Sequence, residues 1–431
     1  MFTRFLTRLN SSVMLLTSTI FVITLCISWK HLPITIDNYV PNQDRKYYEK
    51  IALGKYSEVI KPFSKRVLHP IVARSISSLS SLSLNQSFFI ISIISLIIFI
   101  SFILWIIKNE SSFPLAMTIP LLVTPYMSLL FYDYYMHDLF FSTVLIAFFV
   151  FFIKKLWPLM FLSLYALFLI REATILLSLI LIISCIIKKE PRILLGVIIA
   201  TGLGLVSSSY FAGLGQENRH ALGELIFMIS KIIHNTFSNF FGINLWVNTY
   251  KDCHPILEIN IVRHPDWLSF GKITNFGVCD FNLLQPLHTL IRYLSSFGLI
   301  PLLFFYIIKR EGKKIIEHND LWFISCLLFG LVSFVIGPCL GPGGYRLMGY
   351  GWPLFWIVCP ILMSLFIQSE PATRNKIVII HVVLTWILSI MEILLPKSEL
   401  LYPLTFSFIL ILYVLAFSQL KKMSFILSNN E

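Results

Sequence analysis

The stretch "FFIISIISLIIFISFILWII", residues 88–107, contains no charged side chain. A helix needs about 20 apolar residues to cross a hydrocarbon layer of about 30 Å, so this stretch predicts a transmembrane helix. The whole chain shares its character, because 57% of its residues are hydrophobic and only 13% are charged. A soluble domain of this composition could not cover its core with polar surface, so the sequence predicts a membrane protein.

The apolar segments are continuous runs of Ile, Leu and Phe. The strands of a membrane barrel would instead alternate apolar and polar residues over about ten residues each. The sequence therefore predicts an all-α polytopic protein, one integral membrane domain over 1–431 with about twelve transmembrane helices. The predicted spans are 12–29, 88–107, 114–132, 138–153, 156–170, 173–187, 193–212, 295–308, 320–340, 351–367, 377–395 and 400–419.

Lysines and arginines collect in alternate connections between these spans. Because cytoplasmic loops retain positive charge, this asymmetry predicts a multi-pass membrane protein with both termini cytoplasmic. The loops 30–87 and 213–294 then lie on the outer, periplasmic face, and each is expected to carry an interfacial helix. The same asymmetry accounts for much of the net charge of +12, so nucleic acid is not a predicted partner.

The first outer loop contains "DRKYYEKIALGKY", residues 44–56, which has helical character and begins shortly after the first span. Its simplest interpretation is an interfacial helix with solvated charges. The acids Asp37 and Asp44 lie near the membrane surface in this loop. A second acidic turn, "DYYMHD" from Asp133 to Asp138, is predicted on the same face.

The run "DRKYYEKIA", followed by "PFSKRVLHPIVAR" at residues 62–74, resembles the first outer loop of the GT-C glycosyltransferases. These polytopic enzymes use sugars linked to polyprenyl phosphate. Their aminoarabinose and mannosyl transferases carry an acid just after the first transmembrane helix, then a tyrosine and a short Ile-Ala turn. Asp44, Tyr48, Ile51 and Ala52 match that pattern. Arg45 stands where many members have a second acid, which argues against a metal-assisted pair of acids.

The resemblance implies an inverting transferase of a bacterial inner membrane, for which one carboxylate base would suffice. It would move a sugar from a polyprenyl-phosphate donor to a cell-surface glycan, a lipid-linked acceptor or a protein acceptor on the outer face. The candidate catalytic acids are Asp44, Asp37 and Asp138. The candidate cations for the donor phosphate are Arg346, Arg171, Arg66 and Lys65. The candidate acceptor-binding or supporting residues are Tyr48, Glu172, His69 and Tyr345.

Simpler interpretations exist for these cations. Arg171 could form a salt bridge with Glu172 or extend to the interface, and Arg346 could be an exposed residue of a tight turn. No cofactor is predicted: a divalent metal ion would suit the chemistry, but no residue spacing indicates one. Cys253 and Cys279 share the second outer loop, where an oxidising compartment would permit a disulfide.

Two other functions fit a protein of this shape. A surface-polysaccharide polymerase or ligase would use outer-loop arginines on a diphosphate-linked glycan and would need no acid in the first loop. A flippase or transporter of lipid-linked sugars should bury charges at mid-span and repeat its hydropathy pattern. Neither feature is visible in the sequence, so transport ranks third.

Overall fold

The computed structural model describes residues 11–35, 41, 44–60, 62–112, 115, 118–216, 221–247, 253–254, 256–260, 275–297, 300–301, 304–305, 307–309, 320–340, 349–366 and isolated positions between 407 and 418. The predicted site residues Asp37, Tyr345 and Arg346 lie outside the described residues. So does the predicted span 377–395, and so does most of 400–419.

Helices dominate the described part of the chain. The α-helices are α1 (Ser11–Ser28), α2 (Arg45–Ala52), α3 (Leu68–Leu79), α4 (Leu84–Glu110), α5 (Thr118–Leu122), α6 (Pro125–Tyr132), α7 (Asp138–Ile153), α8 (Trp157–Phe168), α9 (Thr174–Lys188), α10 (Pro191–Gly213), α11 (Ala221–Phe241), α12 (Leu284–Phe297), α13 (Leu321–Leu340) and α14 (Cys359–Phe366). The strands are β1 (Ile243–Val247), β2 (Leu257–Asn260) and β3 (Asn275–Phe281).

Four of the described helices, α1, α4, α10 and α13, are long and apolar enough to cross a membrane. The helices α7, α8 and α9 are apolar but shorter. The chain is therefore consistent with a helical membrane protein, and the total of twelve spans stays a prediction. All seven of these helices lie within two or three residues of predicted spans, except that α4 begins four residues earlier, at Leu84. Ser83 caps it through a hydrogen bond from the Gln86 backbone.

Two predicted spans have a different local structure. The span 114–132 is not one helix in the described residues, because α5 ends at Leu122 and α6 begins at Pro125. Proline has no backbone N–H to continue a helix, and the Thr124 side chain accepts a hydrogen bond from Met127 N and starts a new one. In the span 351–367, a π-helical segment, Pro353–Val358, precedes α14.

The chain divides into two compact units. The first comprises Met1–Asn218, Leu303–Phe329 and Pro353–Gln368, and the second comprises Arg219–Leu302, Gly330–Trp352 and Ser369–Glu431. Helices α4, α7 and α8 pack together in the first unit, with Trp356 beside Phe99 and Tyr126. The 3-10 turn Phe63–Lys65 and the helices α2 and α3 belong to this unit as well.

The second unit contains a β-sheet that an all-α prediction did not include. Its strand order is β1-β3-β2, with both pairs antiparallel, and Leu245 and Leu257 each face Val278 in the register. A disulfide joins Cys253 to Cys279 in β3, with Cα atoms 6.1 Å apart, inside the separation that a disulfide requires. The strands are short and interrupted by polar residues, so their signal is weak beside that of the long apolar helices.

Candidate functional site

Asp44 and Tyr48 lie on one face of α2. Asp44 precedes the helix, and its backbone carbonyl accepts a hydrogen bond from Tyr47 N over 3.1 Å. Residues four apart on a helix lie about 5–6 Å from each other at Cβ, so Asp44 stands one turn from Tyr48. Tyr48 is fully buried, whereas Asp44 is partly exposed. Tyr48 therefore points into the protein, and Asp44 lies nearer to the solvent on the same face of the helix.

Arg66 connects this helix to a distant turn. Its Nη1 donates to the Tyr48 hydroxyl over 3.1 Å, and its Nε and Nη2 each lie 3.1 Å from Oε2 of Glu172. Burial would lower the pKa of Arg66, but Glu172 and Tyr48 outweigh it and raise that pKa. Burial would likewise raise the pKa of Glu172, but Arg66 holds it below its usual value. Both side chains are therefore charged at neutral pH.

A second ion pair lies deeper in the same unit. Arg171 Nη1 donates to Oδ1 of Asp138, and the two residues are 7% and 2% exposed. Asp138 is the first residue of α7, where a negative charge also interacts favourably with the positive end of the helix dipole. Arg171 and Glu172 are adjacent in the turn after α8, and their ion pairs are with Asp138 and Arg66, respectively. The Arg171 charge also lowers the pKa of Glu172, and a salt bridge between the two neighbours stays a prediction.

A third ion pair fixes α2 to the acidic turn. Arg45 Nε lies 2.7 Å from Oδ1 of Asp133, and the two side chains are 27% and 17% exposed. Arg45, which stands where the resembled motif has a second acid, therefore binds an acid of the turn before α7. A backbone hydrogen bond of 3.1 Å from Leu68 N to Leu169 O adds a further link, between α3 and the turn after α8.

His69 lies in the first turn of α3 and is 2% exposed. Its ring contacts Phe88 and Phe140, at centroid distances of 5.0 and 5.3 Å. Burial lowers its pKa to about 3, although the nearby Asp138 carboxylate acts in the opposite direction. His69 is consequently neutral at physiological pH and does not supply a cation for phosphate.

The structure thus brings together six of the residues that the sequence singled out. They are Tyr48, Arg66, His69, Asp138, Arg171 and Glu172. We call this set, with Asp44 at its edge, the outer cluster. Lys65 lies in the neighbouring 3-10 turn and is partly exposed, and no ion pair of Lys65 is found among the described residues.

Asp44 differs from the other acids of the outer cluster. Asp138 and Glu172 each hold an arginine, and Asp133 holds Arg45. Among the described residues, no ion pair or hydrogen bond engages the Asp44 carboxylate. A general base must accept a proton from the reacting group. An acid in this position can do so without first breaking an ion pair.

Sequence reasoning missed how these charges combine. The partners Arg66 and Glu172 are 106 residues apart, and Arg45 and Asp133 are 88 apart, so no local spacing signals either pair. His137, whose ring lies 5.3 Å from that of Tyr48, was also missed. Among the described residues, no group of three His, Cys, Asp or Glu side chains is arranged to hold a metal ion.

Comparison with known proteins adds no relative to this picture. No family model matches the chain, and no curated protein matches it. The interpretation of the outer cluster therefore depends on its own geometry and on the first-loop resemblance.

Proposed function

We propose that this chain is a membrane glycosyltransferase that takes a sugar from a polyprenyl-phosphate donor and attaches it to an acceptor on the outer face. The observation that carries the proposal is the outer cluster. The Asp44 carboxylate has no ion pair among the described residues and stands one helical turn from Tyr48. The Tyr48 hydroxyl in turn accepts a hydrogen bond from Arg66. The resemblance of residues 44–52 to a GT-C first loop supports the same reaction.

In the proposed reaction, Asp44 takes the proton from the acceptor hydroxyl as that oxygen forms a bond to the anomeric carbon of the sugar. The bond between that carbon and the phosphate oxygen breaks, and the polyprenyl phosphate leaves with the electron pair. A guanidinium suits the departing phosphate, because its planar fork can donate two hydrogen bonds at once. Water must be kept from the anomeric carbon, and the buried aromatic rings around Tyr48 and His137 supply an apolar wall for that purpose.

Arg66 is the cation best placed for the phosphate among the described residues. It is 12% exposed at its side chain, whereas Arg171 is 9% exposed and holds a carboxylate that is 3% exposed. Its partner Glu172 is 33% exposed and can turn to water when a phosphate binds. We therefore assign Arg66 to the donor and Arg171 to fixing Asp138. Arg346, Tyr345 and Asp37 remain candidates by sequence alone.

The test is a transfer reaction with the full-length protein in lipid nanodiscs. Synthetic short-chain polyprenyl-phosphate sugars would be supplied one at a time with envelope extract as acceptor, and free polyprenyl phosphate would be measured by mass spectrometry. We expect at least one donor to release its lipid phosphate only when both protein and acceptor are present. Release from diphosphate-linked glycans alone would instead favour the polymerase or ligase function. Turnover of neither class would contradict both enzymatic functions.

A further inference from the structure

Helix α11 has two faces of opposite polarity, and its polar face points into the protein. His234, Asn235 and Asn239 are 7%, 1% and 2% exposed. On the other side, Ile229, Ile233 and Phe237 follow each other at intervals of four residues and are 48%, 39% and 38% exposed. Phe240 and Phe241 extend this side and are 40% and 59% exposed. We call these five residues the outer face of α11.

Two of the inward polar side chains, those of His234 and Asn239, are held by specific hydrogen bonds within the second unit. Nδ1 of His234 lies 2.8 Å from the Leu245 carbonyl oxygen in β1. The Asn239 amide nitrogen donates to the Pro338 carbonyl in α13 over 2.7 Å, and Gln285 of α12 donates to the Asn239 side-chain oxygen over 3.0 Å. These bonds fix the rotation of α11 about its axis.

This arrangement is the reverse of the one that water favours. A helix on the surface of a soluble domain buries its apolar stripe and exposes its polar residues. Here two isoleucines and three phenylalanines form the outside, and histidine and asparagine form the inside. An orientation of this kind is stable when the surroundings of the outer face are themselves apolar.

We propose that the outer face of α11 contacts the acyl chains of the lipid bilayer. The partner of α11 supports lipid as the occupant: Pro338 belongs to α13, one of the four described helices that are apolar enough to cross a membrane. Val335 and Ile336 of the same helix are also exposed apolar residues, at 57% and 37%. Helix α11 is therefore hydrogen-bonded to a helix that is apolar enough to cross a membrane, and both helices expose apolar side chains.

The length of α11 gives this contact a large area, because its 21 residues correspond to about 31 Å at 1.5 Å per residue. A hydropathy scan places this segment in the outer loop 213–294 because the inward His and Asn residues dilute its apolar character. The proposal adds direct contact with acyl chains to the interfacial helix that the sequence predicts in this loop. It is independent of the enzymatic function.

The experiment is photocrosslinking of the full-length protein in nanodiscs of phosphatidylcholine. The photoreactive amino acid p-benzoylphenylalanine would replace Phe237 in one variant and Phe240 in a second, since both substitutions conserve an aromatic ring. Ser57, an exposed polar residue of the first outer loop, would carry the same group as the control. After irradiation, the mass of the protein reports covalent lipid adducts. Resistance of Cys253 and Cys279 to alkylation reports that the second unit has kept its fold.

We expect the phospholipid adduct at Phe237 and Phe240 to exceed that at Ser57 several-fold. Adduct levels equal to those at Ser57 in both folded variants would place the outer face in water and overturn the proposal. Crosslinks from both positions to protein instead of lipid would overturn it as well, because they would identify a covering polypeptide. If one variant loses its disulfide, the other position still decides.

Discussion

The outer cluster of the first unit and the inward face of α11 in the second unit both bury polar side chains, but in different chemical forms. The outer cluster buries charges, in pairs such as Arg171 with Asp138, and the pairs connect segments far apart in sequence. The inward face of α11 buries neutral groups, and two of them, His234 and Asn239, bind the backbone carbonyls of Leu245 and Pro338. Buried ion pairs add little net stability compared with an apolar core, so their retention favours a chemical role. Neutral buried amides are sufficient to orient a helix.

The largest effect is expected when one member of the deepest ion pair is removed. Asp138→Asn leaves the Arg171 guanidinium buried without its counter-charge, which typically costs about 3–5 kcal/mol of stability. The free energy of unfolding in detergent micelles measures this loss.

The double variant Asp138→Asn/Arg171→Met is the matched control for that change. With both charges gone, most of the lost stability should return. If the single variant is as stable as the native protein, the pair is not the buried structural link that the comparison requires.

A smaller effect is expected on the neutral side of the comparison. Asn239→Ala removes the donor to the Pro338 carbonyl and the acceptor for Gln285, and unpaired buried polar groups cost about 1–3 kcal/mol. Thermal unfolding of the same preparation would show it, and Ser57→Ala, at an exposed position, should change nothing. A loss as large as that for Asp138→Asn would erase the distinction between the two regions.

The remaining effect on stability concerns pH and grows gradually as the pH falls. Because burial lowers the pKa of His69 to about 3, the unfolded chain binds a proton below its ordinary pKa of about 6.5 while the folded chain does not. The contribution of His69 to the free energy of unfolding is fully present above the unfolded-state pKa of about 6.5. It declines by about 1.4 kcal/mol per pH unit as the pH falls toward 3.

Unfolding of the His69→Gln variant between pH 7 and pH 5 tests this dependence. Over that interval the free energy of unfolding should fall less steeply with pH in the variant than in the native protein. The difference in slope should correspond to the uptake of about one proton on unfolding. His254→Gln, at an exposed position, should leave the slope unchanged. Identical slopes for the native protein and His69→Gln would mean that His69 titrates normally.

Much of the helical framework follows from the sequence because apolar runs report directly on helices. The spans around α4, α7 and α10 agree with the structure to within a few residues. The break before Pro125 could also have been predicted, since proline interrupts a helix wherever its N–H is needed. The three-stranded sheet could not, because its strands are short and its register depends on pairing across gaps in the chain.

For the candidate site, the sequence identified residue types but not their partners. It singled out Asp138, Arg171, Arg66 and Glu172, which are charged residues that the predicted topology places on one face. For Arg171 it offered a salt bridge with Glu172 or extension to the interface, and it did not indicate the ion pairs with Asp138 and Arg66. Pairings over such separations are set by helix packing, which one sequence does not reveal.

The measurement that tests the proposed function most directly is the transfer rate of Asp44→Asn alongside its thermal stability. Asparagine keeps the shape of aspartate but cannot accept the proton, so the rate should fall by about 10²-fold or more, the usual contribution of a positioned base. The melting temperature should stay near that of the native protein, because the Asp44 carboxylate holds no ion pair among the described residues. Glu58→Gln, which changes an exposed acid paired with Lys50 in the same loop, should retain the native rate. A native transfer rate in Asp44→Asn would contradict the assignment of this residue as the base.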